Sequence, residues 1–510
     1  MSVSTVLAIA VVFFAVAGAF FGMIRGFGRS FMRIMTVCVA FLGSAYICRA
    51  LVADTDRILR SRHLARLVNR LGGTVFEGIE KILPEVHGAV VALPIAILAP
   101  ILFVVLFFLF STMLMLVYAI FAVFIFPKRC EGWSPLSHLC GAIVGVAQGA
   151  LIALVVMVPV VGFVEVAGDA IDVICQEQGK YESAAVTKIK GYRGKLEEAE
   201  NSPVFFYAKR FGAERISDRL MTASYRNEEG KKISIKAEKE IVSIAGMYAH
   251  AMPLLGTDVD RYGKTQVAAV DKLARDLEGS QLMRQVIASM VSNACIEWRG
   301  GGKYLGVEPP MQGEGEVGEF LATFYDAFDE STAKTIVSDF KTLADVFDLF
   351  VDYGVFANIN NADVLQVTFT DAVMLEALFD ILDANVRMQV LYTALIEISI
   401  KTFCTEHVDI PEQGDENYEQ YQDMLGSVTD VLNEIDSEAE LEAKVESVKK
   451  ELNAALLEYG IAEEEISPTV IEAVSDMLIE EFGDSLGSIT PLDIENFIKG
   501  QKIDSSILEK

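Results

Sequence analysis

Histidine and cysteine are scarce in this chain, five and seven among 510 residues. Beyond the first third only Cys175, Cys295 and Cys404 remain, isolated from one another, which excludes a disulfide framework. The other four, Cys38, Cys48, Cys130 and Cys140, fall in or beside apolar runs. Cys404-x-x-His407 is half of a zinc pattern with no second half, and Asp258 and Asp260 lack the rest of a calcium loop. No histidine follows position 407. The run Gly483-Asp484-Ser485-Leu486-Gly487 fits a nucleophile elbow and reads like the Gly-Asp-Ser-Leu lipases, but those folds place the proton-accepting histidine after the serine. We expect a helix stop and a turn there. Gly300-Gly301-Gly302-Lys303 is followed by Tyr304, where a phosphate loop needs Ser or Thr for magnesium. The expectation is a non-enzymatic protein with no catalytic residues, no metal and no cofactor.

Positive charge is the next shortage. Against 71 Asp+Glu stand 43 Lys+Arg, a net charge of -28, yet 52% of the chain is hydrophobic. Splitting at residue 167 resolves the contradiction: the first part holds 12 basic and 7 acidic residues (+5), leaving 31 and 64 (-33). An apolar, weakly basic third is joined to an acidic, water-soluble remainder. That remainder repels polyanions, so no nucleic-acid partner is expected.

Charge is missing altogether from residues 1–24, 86–127 and 132–164. About 20 apolar helical residues span a bilayer core, so each run is long enough to cross. Residues 34–53 make a shorter span if Arg49 snorkels. Pro94 and Pro100 lead us to expect a bent or re-entrant stretch, with the third span at 101–126. Ala15-Val16-Ala17 has the form of a signal cleavage site, but no Lys or Arg precedes the run and further spans follow, so an uncleaved helix is expected. The fold class is therefore membrane all-α, a four-span N-terminal domain followed by a mainly α-helical soluble domain.

Glycine spacing predicts how the spans pack. Gly18, Gly22 and Gly26 recur every fourth residue in the first span, and Gly141, Gly145 and Gly149 in the fourth. Such spacing lines up a face where backbones approach closely. These six are the expected helix-packing residues, within one molecule or between two. Between the spans, residues 57–71 alternate Arg57, Arg60, Arg62, Arg66 and Arg70 with apolar positions at helical spacing. The helix lies on anionic headgroups or packs on the other spans.

The first span running into Ile24-Arg25-Gly26-Phe27, with Arg29 and Ser30 opening the second, a basic connector, a long third span and a fourth beginning Gly141-Ala142-Ile143-Val144-Gly145-Val146-Ala147-Gln148-Gly149, resembles the colicin V production family. The resemblance covers residues 3–165, with Arg25, Gly26 and Phe27 as its motif. It implies a multi-pass protein of the cell membrane, linked to colicin V production or export, here with an added acidic extension that binds another protein or the envelope, or self-associates. The other reading is a channel or transporter subunit, in which Arg25 guides an anionic solute instead of anchoring at the interface. Short loops carrying Arg25, Arg29, Arg33, Lys128 and Arg129 favour the cytoplasm, which sends both termini and the extension outside it.

The expected domains are a membrane part at 1–167, an exit helix or linker at 168–200, a helical subdomain at 201–298, a Gly/Pro linker at 299–318 and an acidic helical subdomain at 319–510. Ser467-Pro468 and Thr490-Pro491 predict helix starts, residues 441–459 an amphipathic helix, and the loop at 227–230 a strand pair. A faint similarity at an offset of 104, Asp276-Leu277 against Asp380-Ile381, admits a helical repeat.

Overall fold

The structure is a computed structural model. It describes residues 2–55, 87–125, 135–178, 184–226, 230–306, 308–309, 316–329, 331–359, 361, 371–406, 408, 410–411, 413–435 and 441–501. The arginine-rich connector at 57–71, His407 and the chain around Lys128 and Arg129 lie outside these residues. The described chain is helical except for one antiparallel pair of strands, and it divides into two compact units. Unit 1 holds residues 1–252 and 275–289; unit 2 holds 253–274 and 290–510.

Three helices of unit 1 are long and apolar enough to cross a bilayer: α1 (Val3–Val52), α2 (His87–Ile125) and α3 (Pro135–Gln178). Helix α1 is not one rod. Gly26 interrupts it at φ 74°, ψ 174°, a conformation open to glycine because it has no Cβ. The Ser30 hydroxyl donates to the Gly22 carbonyl at 3.1 Å. In a straight helix residues eight apart are separated by about 12 Å along the axis, so the chain doubles back at Gly26.

The segment before Gly26 runs antiparallel to α3, with Phe14 and Ala15 against Gly149 and Gly22 against Gly141. The segment after it starts beside the head of α3, where the Phe27 N–H donates to Ser137 Oγ at 3.2 Å. It continues along α2: the Phe41 and Phe103 rings meet edge-on at 5.6 Å, and the Cys48 thiol donates to the Ala99 carbonyl at 3.2 Å.

Helix α2 is one continuous helix, which excludes the re-entrant form of the expected entry. It runs unbroken through Pro94 and Pro100. Each proline removes one backbone hydrogen bond, a loss that membrane helices tolerate when neighbours cover the freed carbonyls. Ala89, Ala92, Ala96, Ala99, Phe103 and Phe107 form a buried stripe along this helix, so protein covers the proline-bearing turns. Elsewhere the helices present apolar side chains outward, among them Phe13 at 65%, Leu42 at 66% and Leu116 at 62% exposure. In water this belt would far exceed the patch a soluble monomer tolerates, whereas hydrocarbon accepts it without penalty.

Helix α3 continues three turns past residue 167. After it come α4 (Ala184–Glu200), α5 (Pro203–Arg210), α6 (Ala213–Leu220), β1 (Thr222–Arg226) and β2 (Lys232–Lys236). The strands pair antiparallel, Ser224 opposite Ser234, and Gly230 turns them at φ 73°, as the sequence predicts. The Tyr225 ring meets Gly88 at the head of α2, and Thr55 Oγ1, just beyond α1, donates to the Ser224 carbonyl at 3.0 Å. Next in order are α7 (Ala237–Leu255), α8 (Lys264–Gly279) and α9 (Gln281–Arg299), each of which gives part of its length to each unit.

Unit 2 also contains α10 (Glu316–Asp329), α11 (Ile336–Asp352), α12 (Ala372–Asp383), α13 (Gln389–Glu406), α14 (Tyr418–Glu434), α15 (Leu441–Tyr459), α16 (Pro468–Phe482) and α17 (Pro491–Gln501). One core joins Tyr421, Leu425 and Leu432 of α14 to Val448, Leu452 and Leu456 of α15 and to Ile471 and Leu478 of α16. A second gathers Cys295, Tyr325, Phe328, Leu378 and Leu391. Ser467 caps α16 by accepting from the Val470 N–H at 3.2 Å, with Pro468 at the first position, and α15 has the bounds its periodicity predicts.

Candidate functional site

The six glycines form a single seam inside one molecule. A Cβ on Gly145 would lie 2.8 Å from the Gly18 carbonyl carbon and 3.0 Å from the Gly22 Cα. One on Gly141 would lie 2.8 Å from the Gly26 carbonyl carbon, and one on Gly149 3.1 Å from the Ala15 Cα. The obstructing atoms are backbone and cannot swing aside. Every fourth residue on each helix must therefore be glycine for the axes to come this close.

The motif residues sit where the seam ends. Gly26 is buried and makes the turn, whereas Phe27 is exposed. The Arg25 guanidinium stacks over the Phe21 ring at 5.0 Å from its centroid. His138 Nδ1 lies 2.5 Å from the Met23 carbonyl oxygen, which only accepts, so that nitrogen carries the proton. Together with the Phe27 to Ser137 bond, this stitches the Gly26 turn to the head of α3.

At the other end of α3, α4, α5 and α6 surround an acidic cleft of about 430 Å³. Its walls include Glu165, Asp169, Glu200, Glu214, Asp218 and Glu238, with Arg193 and Lys209 as counter-charges. Arg193 grips Asp172 with two bonds of 2.7 and 2.9 Å and reaches Glu200 at 3.1 Å. These hydrogen bonds hold its guanidinium above the ordinary arginine range. Lys209 bridges Glu165 and Glu214. Burial raises the Asp218 carboxyl, and repulsion from Glu238 and Glu214 adds to the effect while Lys236 opposes it. Among the described residues no group of three His, Cys, Asp or Glu is placed to hold a metal ion.

Sequence reasoning missed several polar anchors. The Glu240 carboxylate, 2% exposed, accepts from the Ser280 hydroxyl and from the Gln281 and Leu282 N–H groups at 2.9 and 3.1 Å, so it closes the N-terminus of α9. Glu376 does the same for α16, through the Ser467 hydroxyl at 2.5 Å and the Thr469 N–H at 2.9 Å. In unit 2, Arg387 donates to the Ala327 carbonyl, Ser331 and Thr335 at 3.1, 3.0 and 2.8 Å, and its Nε stands 3.6 Å from buried Asp339. The Ser467 cap was visible in the sequence, whereas the start of α9 at Ser280 was not singled out. Their carboxylate partners lie some 40 and 90 residues away and carry no local signal.

The enzyme-like motifs take structural positions. Gly483 ends α16, and Ser485 lies exposed in a short 3₁₀ turn that leads to the Thr490 start of α17. A helix precedes this serine, whereas a nucleophile elbow requires a strand. Lys303 pairs with Glu308 in the glycine-rich loop. Asp258 and Asp260 belong to a single 3₁₀ turn in which Asp258 faces Arg261.

No family model, curated protein or solved structure matches this chain.

Proposed function

We propose that this protein is a non-enzymatic membrane anchor of the colicin V production type, crossing the cell membrane four times and tethering an acidic helical domain that binds a protein partner. The observation that carries the reading is the turn at Gly26. Two antiparallel segments of α1, lying beside α2 and α3, support a reading of four crossings from three long apolar helices. In that arrangement the N-terminus, the connector and the extension share one face of the membrane, and the Gly26 turn and the 126–134 loop share the other. The arginines of the short loops favour the cytoplasm for the second face, which leaves the extension outside it. The link to colicin V production or export rests on the residue pattern around Arg25, Gly26 and Phe27.

Of the three cysteines after residue 167, Cys295 and Cys404 are buried and act as small apolar side chains, while Cys175 is half-buried on α3. Burial pushes the Cys295 thiol up to about 11, away from the reactive thiolate.

The topology is tested by placing a cysteine at Glu308 and treating intact cells with a membrane-impermeant maleimide, with the parent protein as background. Labelling is expected in intact cells. Labelling that requires lysis would put the extension in the cytoplasm. Channel function is tested with Gly145→Leu in proteoliposomes: an anchor loses assembly alone, whereas a conduit also loses solute flux.

A further inference from the structure

Near the end of α3 lies an exposed aromatic segment, on α5 and the turn after it. Helix α5 buries Phe205 and Ala208 but leaves Phe206, at the rim of the acidic cleft, at 58% and Tyr207 at 56% exposure, and Phe211 follows at 71%. The same stretch is basic although the extension as a whole is acidic. Residues 203–220 hold Lys209, Arg210, Arg215 and Arg219 against Glu214 and Asp218, a balance of +2. Both acids line the cleft, whereas Arg210, Arg215 and Arg219 are exposed.

The height of this segment follows from its contacts. Lys209 pairs with Glu165, the first charge after the apolar run of α3, and a Cβ on Gly162 would meet Ser217 and Met221 beside α6. Phe14 packs at Gly149, and Val3 is eleven residues further along an antiparallel helix, which brings it level with about residue 160. The outward apolar face of α1, with Val3, Val6 and Ile9 exposed, therefore ends where α5 and α6 begin. Aromatic rings concentrate at this depth because one part of the ring is apolar and the rim is polar, and arginines there meet lipid phosphates.

We propose that α5 and the turn after it form an interfacial collar on the same bilayer, with Phe206, Tyr207 and Phe211 among the headgroups and Arg210, Arg215 and Arg219 against anionic lipid. The proposal rests on the membrane reading of α1 to α3. It fixes the depth of the bundle and keeps the cleft at the membrane surface.

The test uses the full chain with Trp133 and Trp298 changed to Phe, reconstituted in phosphatidylcholine–phosphatidylglycerol vesicles. Tryptophan is introduced singly at Phe206, Phe211 and, as a reference, Phe13. The collar predicts that 206 and 211 are quenched by lipid brominated near the headgroup more than by lipid brominated deep in the acyl chain. It also predicts a loss of that quenching when phosphatidylglycerol is omitted or when the three arginines become Gln. Iodide quenching at 206 and 211 without any response to brominated lipid would overturn the collar, including in favour of a protein partner. If tryptophan at 13 also ignores deep-brominated lipid, the membrane reading fails instead.

Discussion

At the scale of single residues, backbone approach at the seam and buried charge in unit 2 decide the most. Gly145→Ala introduces a methyl against the Gly18 carbonyl and the Gly22 Cα. Overpacking of this kind costs about 1–3 kcal/mol, and Gly145→Leu costs more. Gly28 has open space around its Cβ position, so Gly28→Ala is expected to be neutral or slightly stabilising. Thermal unfolding in nanodiscs compares the pair; equal effects would remove the argument for the seam.

Arg387 presents the opposite case, a cation whose loss leaves Asp339 buried at 3% exposure without its partner. Arg387→Ala is expected to destabilise unit 2 by about 3–5 kcal/mol, read from hydrogen exchange in α11 and α12. Burial raises the Asp339 carboxyl, and Arg387 and Asn385 offset only part of that rise. A folded value above the unfolded one, ordinarily about 3.9, means that the contribution is complete below the unfolded value and disappears as pH rises through the folded one. The parent should lose stability relative to Asp339→Asn as pH rises above about 4, the unfolded value. Parallel unfolding midpoints above that pH would contradict this.

At the scale of elements, helix ends borrow carboxylates from distant parts of the chain. Glu376 satisfies both the serine cap and an N–H at the start of α16, and Glu240 does so for α9. Glu376→Ala is expected to cost about 1–2 kcal/mol and to speed exchange at the Thr469 and Val470 amides before the rest of α16. Uniform change along the helix would mean that the loss is one of packing instead.

Helix α1 shows where sequence reading reaches its limit. Its glycine spacing was legible because a period of four is a helical signal. The turn at Gly26 was not, because one glycine serves as both the last member of the seam and the corner, and only its positive φ separates the two roles. Gly26→Ala must force a side chain into that conformation at a cost of order 1–3 kcal/mol, with loss of the Ser30 to Gly22 bond. Unchanged stability and unchanged proteolysis near residue 26 would argue against the corner. The prolines of α2 left a bent and a re-entrant entry open, and the helix running on through both excludes the second.

At the scale of the whole molecule, the change of composition at residue 167 is not a boundary of packing. Compact contacts of unit 1 continue to Met252 and take in residues 275–289. Helices α4 to α6 and the strand pair belong with the bundle because Arg193, Lys209, Ser224 and Tyr225 tie them to the ends of α1, α2 and α3. The aromatic segment at 205–211 was not singled out in the sequence. Its depth was not legible there, because depth depends on the neighbours of Gly162 and Glu165.

By itself the sequence determined the apolar and acidic parts, the helical class, the glycine faces and the capped helix starts, since each depends on residues within a turn or two of one another. Only the tertiary structure decided that the two glycine faces meet each other, that α1 doubles back and that acidic side chains close distant helix ends. Those outcomes depend on contacts between residues tens to more than a hundred positions apart, and no local pattern encodes which distant surface will arrive.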